Sequence, residues 1–431
     1  MFDPFALSMI VMVVLTVFGL SIGIAMLIGT IVYLGLAGWD TSIAAETVLQ
    51  GLFNSFTLLA IPLFILAADI MNIGTLSDRL LRFAEALVGR FRGGLGHVNV
   101  VSSLIFSGMS GSAVADAVGM GKIVINMMTK DGKYTKSYAA AITAATATVG
   151  PIIPPSIPMI MYALVSDASI GFLFAAGILP GLLMGVMMAG TNTYIAHKRN
   201  FPIEDPTPLR ELPRLTWDAF PALMLPVILL GGIYGGIMTP TEAAAVAAFY
   251  ALLISVLFYR SVSFKAFFGA LRSSSRSTAA VGVLIMGAMA FNFVITRENI
   301  PDTLAAFMGQ FDLSPLGFLI ALNILFLVLG AVLEPGPILL IVVPIFIPTI
   351  QAMGIDLVHF GVIVVINAMI GLVTPPVGML LFIVTNVTGA KVAHIIRDVL
   401  PFLFILVCAL LVVTIWEDFV LFLPRLLGYN G

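Results

Sequence analysis

Apolar runs too long for a soluble fold to bury recur along this 431-residue chain. Phe5–Ala37, Leu52–Met71, Ile170–Ala196 and Leu400–Phe422 each reach or exceed the roughly 20 residues that a helix needs to span a bilayer. Only 10% of the residues are charged, against about a quarter in soluble domains, so lipid is the solvent for most of the chain. Hydrocarbon offers the backbone no partner, and each run must satisfy its own amides and carbonyls as a helix. The expected fold class is an all-α polytopic membrane protein. The first run has no basic leader and outlasts a signal-peptide core, so no cleavable signal is expected.

The same composition excludes several functions. The single Cys408 allows neither an intrachain disulfide nor a cysteine metal cage. His97, His197, His359 and His394 are scattered without ligand spacing. No basic tail or stripe suggests nucleic acid, and no cofactor is expected.

Short spans are expected at Phe5–Leu20 and Ile22–Leu36, hinged near Ser21-Ile22-Gly23, then an amphipathic piece at about 41–51 and a span at 52–72. The charged segment 73–96 has helical spacing and reads as a surface arm. Stretches 97–121 and 322–347 are apolar but interrupted, which suits re-entrant hairpins; 137–166 and 359–388 are interrupted at mid-span and read as broken helices. Uninterrupted spans fall at about 170–196, 217–236, 240–259, 277–296 and 399–423. A polar linker, 197–216, separates residues 1–196 from 217–431, and 260–276 is polar as well.

The second half repeats the first. Gly150, Pro154, Pro155 and Pro180 meet Gly371, Pro375, Pro376 and Pro401 at one gapless offset of 221 residues, and Asp78 and Leu80 meet Asp302 and Leu304 at a nearby one. If both hairpins return to the side they entered from, only Arg297 and Arg425 of the 20 basic residues fall on the face opposite the others. The positive-inside rule makes the crowded face cytoplasmic. The first hairpin then enters from the cytoplasm and the second from outside, so the repeats are inverted.

Four places depart from regular apolar helix: Ser107–Ser112 followed by Asp116, Thr148–Ser156, Gly330–Pro337 and Gly371–Pro376. Proline removes an amide and clashes with the preceding turn, so Pro-Pro at mid-span opens the helix and frees carbonyls. Carbonyls with Ser and Thr hydroxyls form a neutral oxygen cage suited to a hard monovalent cation such as Na⁺. Half-helix N-termini turn a positive dipole end toward a bound anion. One cation site is expected from the Ser110 and Ser112 hydroxyls with carbonyls near Val149 and Gly150. A second is expected from Gly330, Glu334, Gly336, Gly371 and Thr374. The anion is expected between them, at Ser112, Asp116, Pro155, Ser156 and Pro376.

Each feature has a plainer reading. A lone proline kink is usually structural, and membrane serines often bond back to their own helix. Asp116 and Glu334 are costly inside a bilayer and hence functional candidates, or they face an aqueous vestibule or cap a hairpin helix. Asp167 is expected to cap the helix that follows it. No histidine lies beside an intramembrane serine or aspartate in the sequence, which disfavours an intramembrane enzyme.

The strings "SGMSGSAVADAVGMG", "GPIIPPSIPMIMYALVSDASIGFLFAAGILPG" and "GLVTPPVGMLLF" resemble the large membrane (M) subunit of tripartite ATP-independent periplasmic (TRAP) transporters of the C4-dicarboxylate type, over essentially the whole chain. The resemblance implies Na⁺-driven secondary uptake of an organic anion across a bacterial inner membrane. It implies as partners a small membrane subunit (Q) and a periplasmic substrate-binding protein (P). It also implies an elevator, in which a transport domain of hairpins and broken helices slides against a scaffold. By motif, Ser110, Gly111, Ser112, Asp116 and Gly150–Ser156 match the family's first hairpin and broken helix, and Gly330–Pro337 and Gly371–Pro376 the second pair. The alternative is a self-sufficient carrier of the divalent-anion/Na⁺ symporter architecture.

Overall fold

The computed structural model describes residues 3–73, 76–204, 207, 208, 210–310 and 313–431, so small parts of the expected arm, of the linker and of the stretch between the span at 277–296 and the second hairpin lie outside the described residues. In the first half, α1 (Pro4–Val17), α2 (Ile22–Leu36) and α3 (Ser42–Asn54) precede a 3₁₀ turn at Phe56–Leu59. That turn leads into α4 (Ala60–Ile73) and then α5 (Leu76–Val88). The hairpin is α6 (Gly94–Ser110) with α7 (Ala113–Val118) and α8 (Met120–Thr129). The broken segment is α9 (Lys136–Ala147) with α10 (Ile157–Ser166), and α11 (Ile170–Lys198) closes the half.

The second half opens with α12 (Leu212–Tyr234) and α13 (Pro240–Leu253), the latter prolonged by a π turn at Ile254–Phe258. Then come α14 (Phe264–Arg297) and α15 (Ile300–Gly309). The second hairpin is α16 (Pro315–Gly330), the single turn α17 (Pro335–Pro337), a π turn at Ile338–Val342 and α18 (Val343–Ala352). The second broken segment is α19 (Leu357–Gly371) with α20 (Met379–Thr388), followed by α21 (Val392–Ile415) and α22 (Glu417–Leu426). Among the described residues, seven helical stretches are long and apolar enough to cross a membrane, and shorter apolar helices accompany them. The protein is an all-α polytopic membrane protein.

Helix starts follow local chemistry. The side chains of Thr135, Ser263, Ser314 and Asp356 each accept an amide of the first turn that follows, and Thr239 with Glu242 makes a reciprocal capping box for α13. Ser263 explains a departure from the expected boundaries. The polar segment and the span at 277–296 form one 34-residue helix, because a cap starts it early and no proline interrupts it. The first hairpin's returning limb likewise runs on to Thr129, beyond residue 121, and the second hairpin begins at Pro315. Asp167 does not cap α11; it ends α10 in the left-handed conformation (φ 57°), which aspartate tolerates better than most residues, and Ser169 precedes α11. The α5 arm is only half a free surface. Leu76, Leu80, Leu81 and Ala84 are buried where it packs on α6 and α12, and Arg79 stacks 4.4 Å from the Tyr259 ring centroid and lies 3.6 Å from Asp218.

The repeat is visible in the packing. Helix α13 lies on α4 as α2 lies on α14, and α21 lies on α9 as α11 lies on α19. Tyr138 donates to Asn192 Oδ1 at 2.7 Å; 221 residues later, His359 Nε2 donates to the Val413 carbonyl at 2.8 Å. The repeat-related helices α11 and α21, each with its matching internal proline, run in opposite directions. Arg199 at the end of α11 pairs with Asp398 in the second turn of α21 at 2.5 Å, while Phe172 at the start of α11 packs on Tyr429, beyond the end of α22.

Candidate functional site

Each hairpin tip rests on the break of its own half. In the first, Gly111 turns the chain with φ 58°, and a Cβ there would stand 2.5 Å from the Pro155 carbonyl oxygen. Only glycine serves both the turn and the approach. In the second, Gly330 and Gly371 meet backbone to backbone: a Cβ on Gly371 would lie 2.6 Å from Gly330 Cα. The Val377 amide, past the second Pro-Pro, donates to the Ala331 carbonyl at 3.3 Å. Both Pro-Pro bonds, Pro154-Pro155 and Pro375-Pro376, are cis. The two hairpin–break contacts adjoin, since α7 packs on α20 and α10 on α17.

The oxygen inventory separates the expected ligands. Ser110 is buried and its hydroxyl has no partner among the described residues. Ser112 caps α7, its Oγ accepting the Ala115 amide at 3.3 Å. The Gly150 and Gly330 carbonyls receive no hydrogen bond among the described residues. Thr374 donates its hydroxyl proton to the Ile370 carbonyl at 2.8 Å, which leaves lone pairs on its oxygen to coordinate. The Val149 carbonyl, by contrast, already accepts the Ile152 and Ile153 amides at 2.9 and 3.3 Å, and the Gly371 carbonyl accepts the Thr374 amide at 3.0 Å.

Other expected positions fall elsewhere. Gly336 packs closely on α14, where a Cβ would stand 2.4 Å from Leu284 Cδ2. Glu334 is exposed at the N-terminus of α17 and makes no side-chain cap. Ser156 is fully buried, donates to the Pro151 carbonyl and accepts the Met159 amide at 3.2 Å, so its hydroxyl is committed to capping α10. Pro155 is buried against the Gly111 tip, whereas Pro376 is exposed. Asp116 is 1% exposed, and among the described residues neither carboxyl oxygen has a partner within hydrogen-bond geometry, although Ser103 stands beside it. Such a carboxyl inside a membrane must stay neutral or meet a cation, and it is badly placed to hold an anion.

Sequence reasoning overlooked two buried polar networks that join each hairpin to the broken helix of its own half. Asn99 donates to Thr143 Oγ1 at 2.6 Å and accepts from Thr146 Oγ1 at 2.9 Å. In the other half, Asn367 donates to Asn323 Oδ1 at 3.0 Å, and Asn323 donates to Thr414 Oγ1 at 2.8 Å. Asn367 stands 221 residues after Thr146, so the offset already paired them. A cleft of about 1020 Å³ lies elsewhere, between the ends of α10 and α12 and the starts of α11 and α13, and includes none of the expected site residues.

Paired membrane-embedded backbone breaks, each closed by a hairpin tip and offering neutral oxygens, define a secondary transporter of the inverted-repeat type. Comparison with known proteins gives the particular family. Residues 9–419 match the family described as "Tripartite ATP-independent periplasmic transporter, DctM component", and the chain belongs to it. It is similar to the sialic acid TRAP transporter large permease protein SiaM of Vibrio cholerae, with 40% identity over 96% of each chain. It is also similar to the C4-dicarboxylate TRAP transporter large permease protein DctM of Pseudomonas aeruginosa, with 40% identity over 87% of this chain and 88% of that one. Its fold is that of the Alcanivorax borkumensis YdaH transporter, described as having an unusual topology, with TM-score 0.61 and 16% identity over 86% of this chain and 88% of that one. The protein is thus a multi-pass permease of the bacterial inner membrane, serving secondary transport of organic anions, and not an enzyme.

Proposed function

We propose that the chain is the Na⁺-coupled permease subunit of a binding-protein-dependent transporter for an organic carboxylate. The carrying observation is the repeated hairpin–break contact, which sets uncharged oxygens against a backbone too close for any side chain: Ser110 and the Gly150 carbonyl in one half, Thr374 and the Gly330 carbonyl in the other. Neutral oxygen cages suit a monovalent hard cation, and two of them flanking one anion couple cation binding to substrate binding. Sialic acid and C4-dicarboxylates, which the relatives' names give for those proteins, share the carboxylate that half-helix N-termini would receive. In this reading the hairpins, broken helices, α11 and α21 form the moving transport domain, and α1 to α4 with α12 to α14 the scaffold. A small membrane subunit and a periplasmic binding protein complete the system.

Purified permease with its co-encoded small subunit, reconstituted into liposomes, tests this. With the co-encoded binding protein present, an inward Na⁺ gradient should drive accumulation of labelled sialic acid or succinate, whichever that protein binds. Accumulation that ignores the gradient would exclude Na⁺ coupling. Accumulation by the large permease alone, with no binding protein, would favour the self-sufficient carrier.

A further inference from the structure

Hydrogen bonds are directional and apolar contacts are not, so hydrogen bonds between two bodies that slide inside a membrane mark position. Apolar contacts cross the boundary between the proposed scaffold and the proposed moving domain. Gly108 of the first hairpin lies on Pro226 of α12, and Gly336 of the second lies on Leu284 of α14; an added Cβ would stand 2.7 and 2.4 Å away. Sliding helices exchange such contacts for similar ones. Two hydrogen bonds across the same boundary cannot be exchanged in this way. Tyr234, at the end of α12, donates its hydroxyl proton to the Gly171 carbonyl of α11 at 3.1 Å. Asn292 of α14 donates from Nδ2 to the Leu340 carbonyl, in the π turn of the second hairpin, at 3.2 Å.

The two bonds share one design. Each donor is a side chain of a scaffold helix, and each acceptor is main chain of the moving domain, which no rotamer change can turn away. Local sequence leaves one acceptor available: the α-helical donor for the Leu340 carbonyl would be residue 344, and Pro344 has no N–H. Both bonds cross at clefts. Tyr234 and Gly171 line the cleft of about 1020 Å³, while Asn292 and Leu340 line a second one of about 400 Å³. Asn54 and Leu164 line both, so the clefts adjoin. The boundary is hollow at both crossings, and each bond bridges walls that close packing does not fill.

We propose that Tyr234 and Asn292 are positioning residues for the transport step, whose hydrogen bonds hold the moving domain where it stands here and open together in each cycle. This latch presupposes the scaffold and moving domain proposed above, but neither the Na⁺ sites nor the identity of the substrate. Interhelical hydrogen bonds in membranes bias such an equilibrium roughly threefold each.

Pulsed electron paramagnetic resonance on the full-length permease in liposomes provides the test. Nitroxides on Lys265→Cys in α14 and Lys391→Cys at the start of α21, both exposed, report the separation of scaffold and moving domain in a Cys408→Ala background. The reference protein should show two distances. Tyr234→Phe and Asn292→Leu should each lower the weight of the distance matching this structure, relative to the other, roughly threefold, and together roughly tenfold. Tyr250→Phe removes a similar bond, from the Tyr250 hydroxyl to the Pro221 carbonyl at 2.8 Å, but wholly within the scaffold. It should leave the ratio unchanged. If the double variant fails to fold, Tyr234→Phe alone is read. Two distances whose ratio ignores both substitutions, or shifts equally in Tyr250→Phe, overturn the latch and leave the sliding intact. A single distance in every variant overturns the sliding itself, and the latch with it.

Discussion

At the scale of single residues, the structure separates hydroxyls free to bind from hydroxyls already committed. Ser110 Oγ has no partner among the described residues, so under the proposed Na⁺ coupling Ser110→Ala removes a cation ligand and no hydrogen bond. Losing one neutral ligand of a charge costs about 1–2 kcal/mol, so the Na⁺ concentration for half-maximal uptake should rise about tenfold, with melting temperature unchanged. Ser112→Ala should raise it too, but should also lower melting temperature, because the α7 cap at Ala115 disappears at about 1 kcal/mol. Equal Na⁺ dependence in wild type and Ser110→Ala would place the first cation elsewhere. Gly371→Ala is different again, because its Cβ would stand 2.6 Å from Gly330 Cα, which is backbone and cannot swing aside. Overpacking of this kind costs about 1–3 kcal/mol, and Gly371→Ala should abolish uptake and lower the melting temperature measured in detergent. Wild-type uptake by this variant would show that the Gly330–Gly371 contact is not required.

At the scale of elements, what the sequence disclosed was whatever breaks a pattern. Pro-Pro at 154–155 and 375–376 is conspicuous against apolar surroundings, and a constant offset exposed the repeat. Which way a hydroxyl points was not legible: Ser156 and Thr374 look alike as polar residues beside Pro-Pro, yet Ser156 both donates and accepts as a helix cap, whereas Thr374 only donates and keeps both lone pairs to offer. Asn99 and Asn323 were passed over because one polar residue in a long apolar helix carries no periodic signal. Their partners sit on α9, α19 and α21, so the networks exist only once the helices pack. Such interhelical hydrogen bonds in membranes are worth about 0.6 kcal/mol on average and rarely exceed about 1.7. Asn367→Ala should therefore lower thermal stability modestly, while Asn367→Asp, which buries a charge, should lower it far more. Melting curves by intrinsic fluorescence decide this; equal losses in the two variants would mean that residue 367 is reached by water.

At the scale of the whole molecule, the inverted arrangement rests on two independent physical signals. If both hairpins return to the side they entered from, basic residues crowd one side, with Arg297 and Arg425 alone opposite. The packing gives the second: Arg199 and Asp398 tie the end of α11 to the beginning of α21, and Phe172 against Tyr429 closes the other end, so equivalent helices of the two halves run antiparallel. With the positive-inside rule, the segments around Lys198 and Lys265 are expected to face the cytoplasm. Single cysteines replacing Lys198 and Lys265, in a Cys408→Ala background, should be shielded from a membrane-impermeant maleimide in intact cells and become reactive after permeabilisation. A cysteine replacing Gln310, exposed at the end of α15, should react in intact cells. All three positions lie on exposed surface, so silence from the first two reports the membrane barrier and not burial. Labelling of the Lys198 position from outside would break the link between charge placement and topology, and with it the assignment of opposite entry sides to the two hairpins.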